Sequence, residues 1–185
     1  MRKLVLAALL GAVATALVTG SFAIAGGGDG SSNSRFKAPL DGWQEAPSIV
    51  TTGEGRFRAR LVDRDTIEFW LSYEELEGSP TQAHIHIGSH HEMGGVSGWL
   101  CGAPASTNQG LCPSEPDGAK FEGELHGFIE RNDVTGPANQ GVEPMEIEDL
   151  IRAMRNDEAY ANVHTTKFGG GEIRGDLGRG HERSH

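Results

Sequence analysis

The feature that most constrains this chain is an apolar period of two. In residues 55–62, "GRFRARLV", Phe57, Ala59 and Leu61 alternate with Arg56, Arg58 and Arg60. In residues 66–73, "TIEFWLSY", Ile67, Phe69, Leu71 and Tyr73 share one parity. Successive side chains of an extended strand point to opposite faces, so each run gives one dry and one wet face; a helix would scatter them. The intervening "DRD", residues 63–65, supplies a turn. The pair predicts an antiparallel hairpin.

The same alternation recurs further along. Ala83, Ile85 and Ile87 oppose His84 and His86, and Phe121 and Leu125 oppose Glu122, Glu124 and His126. Val163 opposes Asn162 and His164, while Ile173 and Leu177 oppose Glu172, Arg174 and Asp176. One segment breaks the pattern. In "EPMEIEDLIRAMRND" the residues Ile147, Leu150, Ile151 and Met154 fall at i, i+3, i+4 and i+7, the spacing of one helical face. Pro144 precedes it, acids occupy its early turns, and Arg152 and Arg155 come late, as the helix dipole favours. About seven or eight short strands and one short helix predict an all-β chain: an antiparallel, Greek-key-like β-sandwich or open barrel. Residues 102–118 and 132–144 read as long loops.

The N-terminus reads as an export signal. Arg2 and Lys3 precede an uncharged apolar run, and Ala23-Ile24-Ala25 places small residues where a signal peptidase reads. The run is too short to span a membrane. The expected organisation is a signal peptide over 1–25, a disordered lead-in over 26–34 ("GGGDGSSNS"), one domain over 35–178, and a disordered tail over 179–185 holding His181 and His185. Loss of Arg2 and Lys3 would leave 14 of the 16 basic residues against 26 acidic ones, a net charge of −12. That excess argues against nucleic acid or anionic lipid as partners. Cys101 and Cys112 are the two cysteines. Export favours a disulfide between them over a pair of soft metal ligands.

Three stretches resemble a known family. "FKAPLDGWQEAPSIVTTGEG", "AHIHIG" and "AYANVHTTKFGGGEIRGDL" are similar, in that order, to the start, middle and end of the CHRD domain of chordin, over about residues 36–177. The resemblance implies a secreted, β-sandwich-like extracellular module. It implies a non-enzymatic binding or structural role, with an extracellular protein or surface polymer as partner. In animal chordin these domains accompany cysteine-rich repeats that bind bone morphogenetic proteins. This chain has no such repeats, so growth-factor antagonism does not carry over, and no catalytic residue is transferred.

The histidines offer an alternative. His84 and His86, two apart on a strand, point the same way, roughly 7 Å apart at Cα. If the strand of His164 lies alongside, three imidazoles converge on a site suited to copper or zinc. The His-X-His strand is also similar to the copper-binding strand of copper-zinc superoxide dismutase, which makes dismutase-like redox chemistry the enzymatic version of this reading. The competing role is structural, with the histidines in a polar network supported by Glu172, Arg174 and Asp176. His90, His91 and Glu92 read as solvated loop. Arg174-Gly175-Asp176 spells an adhesion tripeptide but falls inside a predicted strand, and Gly169-Gly170-Gly171 lacks the lysine and helix of a phosphate loop. No Gly-X-Ser-X-Gly setting is present.

Overall fold

The computed structural model describes residues 34–179. The expected signal peptide, and nearly all of the expected lead-in and tail, lie outside the described residues. The strands are β1 (Arg35–Asp41), β2 (Glu54–Leu61), β3 (Ile67–Leu76), β4 (Pro80–Ile87), β5 (Val96–Cys101), β6 (Glu115–Asp117), β7 (Lys120–Ile129), β8 (Ala159–Thr165), β9 (Ile173–Asp176) and β10 (Gly178–Arg179). Among the described residues the one α-helix, α1 (Ile147–Arg155), stands between β7 and β8.

The strands form one antiparallel sheet in the order β5-β4-β8-β9-β1-β2-β3-β7-β6, with β10 beside β1. The sheet curls into a half-barrel. Of the two predicted architectures it is therefore the open barrel, built from a single sheet. The β2–β3 hairpin forms in the expected register, with Leu61 opposite Ile67 and Phe57 opposite Leu71. After β3 the chain crosses to the far flank for β4 and β5, returns beside β3 for β6 and β7, then places β8 and β9 between β4 and β1.

The concave face holds the core. Phe36, Leu40, Phe57, Phe69, Leu71, Ile85, Val163 and Ile173 are buried there. Phe57 and Phe69 stack with ring centroids 6.4 Å apart. Helix α1 buries Ile147, Leu150, Ile151 and Met154, the four residues of its apolar stripe. Each such burial stabilises by roughly 1.5–3 kcal/mol. A side chain at Gly98 of β5 would come within 2.9 Å of Leu150, so this glycine lets the helix pack close. Gly98 also bridges to Val134, and the Thr135 N–H donates to Ser97 O at 3.0 Å, which brings the segment after β7 against the outer edge of β5. Strand β6, at the other edge, is three exposed residues with Pro116 in the middle. Cys101, closing β5, is disulfide-bonded to Cys112 in the following loop, as expected.

The convex face differs from expectation on one half. On β2 the alternation holds, with Arg56, Arg58 and Arg60 exposed. On β4, however, five consecutive residues from Ala83 to Ile87 are buried, and β8 is buried at all seven positions. The supposed wet face of β4, β8 and β9 is not wet. Loops fold over it and turn its polar side chains into a second, polar core.

Candidate functional site: a buried histidine cluster

Strand pairing assembles the cluster. Strand β4 pairs with β8, setting Gln82 opposite His164, His84 opposite Asn162 and His86 opposite Tyr160. Strand β8 pairs with β9, setting Asn162 opposite Arg174 and Tyr160 opposite Asp176. Strand β5, on the other side of β4, brings Trp99 opposite His84. All these positions have the parity that points away from the aliphatic core.

The three imidazoles converge. One ring nitrogen from each of His84, His86 and His164 lies within 4.8 Å of the other two. Ring centroids are 4.6 Å apart for His84 and His86, and 4.4 Å for His84 and His164. His84 Nδ1 is 2.8 Å from His86 Nε2. The cluster is nearly dry, with exposures of 2% for His84, 8% for His86 and 9% for His164.

The nitrogens on the far sides of the rings meet oxygen. His86 Nδ1 lies 2.9 Å from Gly94 O, and His164 Nδ1 lies 3.0 Å from Gly169 O. A carbonyl oxygen only accepts, so both Nδ1 atoms carry the proton and both Nε2 atoms present bare lone pairs. His84 Nε2 faces Gln82 Oε1 at 3.4 Å. His164 Nε2 is buried and makes no hydrogen bond.

Burial pushes all three imidazoles toward the neutral form. His84 is lowered to about 2 by burial and then by repulsion from His164 and His86. His86 is lowered to about 4, chiefly by burial and against the opposing bond to Gly94. His164 is also lowered by burial. Neutral imidazole is the form that donates a lone pair.

Around the rings lie aromatic and ionic supports. Tyr160 stacks on His86 with centroids 4.7 Å apart, and the Arg174 guanidinium lies 3.4 Å from the Tyr160 ring centroid. Arg174, 1% exposed, donates to Glu92 O at 2.7 Å and Ser89 O at 2.8 Å, tying down the loop that carries Gly94. Tyr160 Oη accepts from the Gly94 N–H at 3.1 Å. The edge of His84 meets Trp99 at a centroid distance of 4.9 Å. Glu45, from the loop after β1, accepts from Asn162 Nδ2 at 2.7 Å. Its carboxyl is pushed up to about 7 by burial, against the Asn162 hydrogen bond and the Arg174 charge.

The expected carboxylate supports lie elsewhere. Glu172 is fully buried but accepts from Thr51 Oγ1, Thr165 Oγ1 and the Glu77 N–H, latching loops together rather than touching the rings. Asp176 pairs with His90 and Arg174. The acceptors behind the imidazoles are Gly94, Gly169 and Gln82. Gln82 was legible as the residue two before His84; the glycine carbonyls leave no side-chain signal.

The remaining candidates stay apart from the cluster. His90, His91 and Glu92 are exposed. His126 stacks on Trp70 and bonds Glu68 Oε1 at 2.9 Å on the convex side of β7. Arg174-Gly175-Asp176 is strand β9, and Arg174 and Gly175 within it are buried, so it offers no loop tip for adhesion. His181 and His185 lie outside the described residues. Among the described residues no helix is long and apolar enough to cross a membrane.

Comparison with known proteins agrees with the sequence motifs. No curated protein and no solved structure matches the chain. The family model of the CHRD domain matches residues 36–177, from the first residues of β1 to the end of β9. That span takes in the half-barrel and every residue of the histidine cluster, and by it the chain belongs to the CHRD domain family.

Proposed function

We propose that this protein is an exported CHRD module that works by binding, not by turnover. Its partner is an extracellular protein or a surface polymer. The observation that carries the reading is the contrast between the two halves of the convex face. Over β4, β8 and β9 that face is largely covered by loops, with Gln82 left exposed and Asp176 partly so. Over β2, β3 and β7 it is open, with Arg56 and Arg58 beside Ser72 and Trp70, and Glu124 and His126 alongside. These six residues line one shallow groove. Trp70 and His126 stack within it at 4.9 Å, giving a flat aromatic surface edged by charges of both signs. Aromatic planes with convergent polar groups recur at binding surfaces.

The disulfide and the family match support an extracellular setting. The test is binding of purified protein to immobilised fractions of surface polysaccharide and surface protein, followed by surface plasmon resonance. Trp70→Ala and Arg58→Glu should each weaken binding at least tenfold while keeping the wild-type far-UV circular dichroism spectrum at the binding temperature. Wild-type affinity in both variants would refute the assignment of this face. Robust turnover of a simple substrate, abolished by one side-chain change, would refute the non-enzymatic reading.

A further inference from the structure

We propose that His84, His86 and His164 form a site for one copper or zinc ion. The site lies under the loops of the convex face and does not rest on the groove over β2, β3 and β7.

The first argument is the orientation of the rings. Histidines that ligate a metal with one nitrogen usually donate the other N–H to an oxygen acceptor, which fixes tautomer and ring direction. Two of the rings have a backbone carbonyl behind them, Gly94 O for His86 and Gly169 O for His164, and the far nitrogen of His84 faces the side-chain amide of Gln82. The inward nitrogens are then His84 Nδ1, His86 Nε2 and His164 Nε2.

The second argument is the hydrogen-bond balance without a cation. His86 Nε2 and His164 Nε2 are both acceptors, because their Nδ1 atoms donate to carbonyls. The single proton of neutral His84 has two destinations. On Nδ1 it satisfies His86, and the Gln82 amide, turned about, can donate to the Nε2 lone pair. On Nε2 it satisfies Gln82 and leaves two lone pairs 2.8 Å apart. In either arrangement His164 Nε2 stays buried with no partner. Buried polar atoms are seldom left so, and each costs about 1–3 kcal/mol. One cation between the rings accepts all three lone pairs at once.

The third argument is fit. Ligand nitrogens on a tetrahedral ion with bonds of about 2.0–2.1 Å sit roughly 3.3 Å apart. The His84–His86 pair must open by about half an ångström, and the widest pair, within 4.8 Å, must close by at most roughly 1.5 Å. Rotation about χ2, a soft torsion for histidine, covers such changes. An all-nitrogen donor set excludes calcium and magnesium and suits copper and zinc, with copper(II) favoured in raw affinity. Three protein ligands leave a fourth position for water or another small ligand.

The test uses the purified full chain, stripped with EDTA and titrated separately with Cu²⁺ and Zn²⁺ under native mass spectrometry and calorimetry. The expected result is one ion per chain, with affinity lowered at least tenfold in His164→Gln and in His84→Gln, and unchanged in Glu115→Gln on the edge strand β6. X-ray absorption on the loaded wild-type protein should show three imidazole nitrogens, a readout that holds even if a variant folds poorly. Failure of the wild type to take up either ion would overturn the proposal. So would retention of full affinity by the His84→Gln/His164→Gln double variant, or a spectrum without imidazole scattering.

Discussion

Acidification from pH 7 to pH 5 in the presence of EDTA should destabilise this protein, and Glu45 should blunt the loss. An ordinary histidine titrates near 6.5, so His84 and His86 take up protons in the unfolded chain as pH falls below that value. In the folded protein they stay neutral down to about 2 and about 4 respectively. The unfolded state therefore binds more protons across this window, and stability falls with pH. Each of the two histidines contributes a loss of about 2 kcal/mol by pH 5, roughly 4 kcal/mol together, and His164 acts in the same direction. Glu45 has the opposite sign. Its folded value of about 7 lies above the ordinary carboxyl value, so the folded protein takes up this proton first. That returns about 2 kcal/mol over the same interval. Glu68 and Glu77, held low by hydrogen bonds from Arg60 and Lys167, act below it. The net loss attributable to His84, His86 and Glu45 is thus about 2 kcal/mol, and in Glu45→Gln it should rise to about 4 kcal/mol. Urea unfolding followed by tryptophan fluorescence at both pH values, on wild type and Glu45→Gln, measures the two numbers. A wild type at least as stable at pH 5 as at pH 7 would refute the claim that the histidines are buried and neutral. A shallower fall in Glu45→Gln would refute the claim for the carboxyl.

Reduction of Cys101–Cys112, separated by 11 residues, should cost about 3 kcal/mol of stability in the chain-entropy picture, read as a lower urea midpoint. Gly94→Ala should be more damaging than its size suggests. A Cβ there would sit 1.5 Å from Ile87 O, so the backbone that also carries the His86 acceptor Gly94 O must move. A loss of about 3 kcal/mol or more is expected, together with weaker metal uptake.

The half-barrel was largely legible because period-two runs report which side of a sheet is dry. Residues 55–62 and 66–73 placed β2 and β3 to within two or three positions, and the stripe of Ile147, Leu150, Ile151 and Met154 placed α1. Strand β5 was missed because it does not alternate. Its Ser97, Gly98, Leu100 and Cys101 are all buried, and Gly98 is there for the helix, not for strand propensity. Strand β1 carries the alternating Phe36, Ala38 and Leu40, with Pro39 at an outward position, and a proline inside a run argues against a strand in the sequence. At the site, parity gave the direction of His84, His86 and His164, because parity is local. It could not give the cover. The burial of Arg174 and Glu172 depends on the loops that carry Ser89, Glu92, Thr51 and Glu77, whose contacts with them are long-range and leave no period in the chain.

A half-barrel that does not close keeps two margins, and margins recruit strands from other molecules. Here one margin ends in three residues, Glu115, Pro116 and Asp117, where the ring of Pro116 removes a donor and two acids repel an incoming neighbour. The other, β5, is met by Val134 and Thr135 of its own chain. Both rims are blunted against self-templated fibre growth, the hazard that an unpaired sheet edge carries.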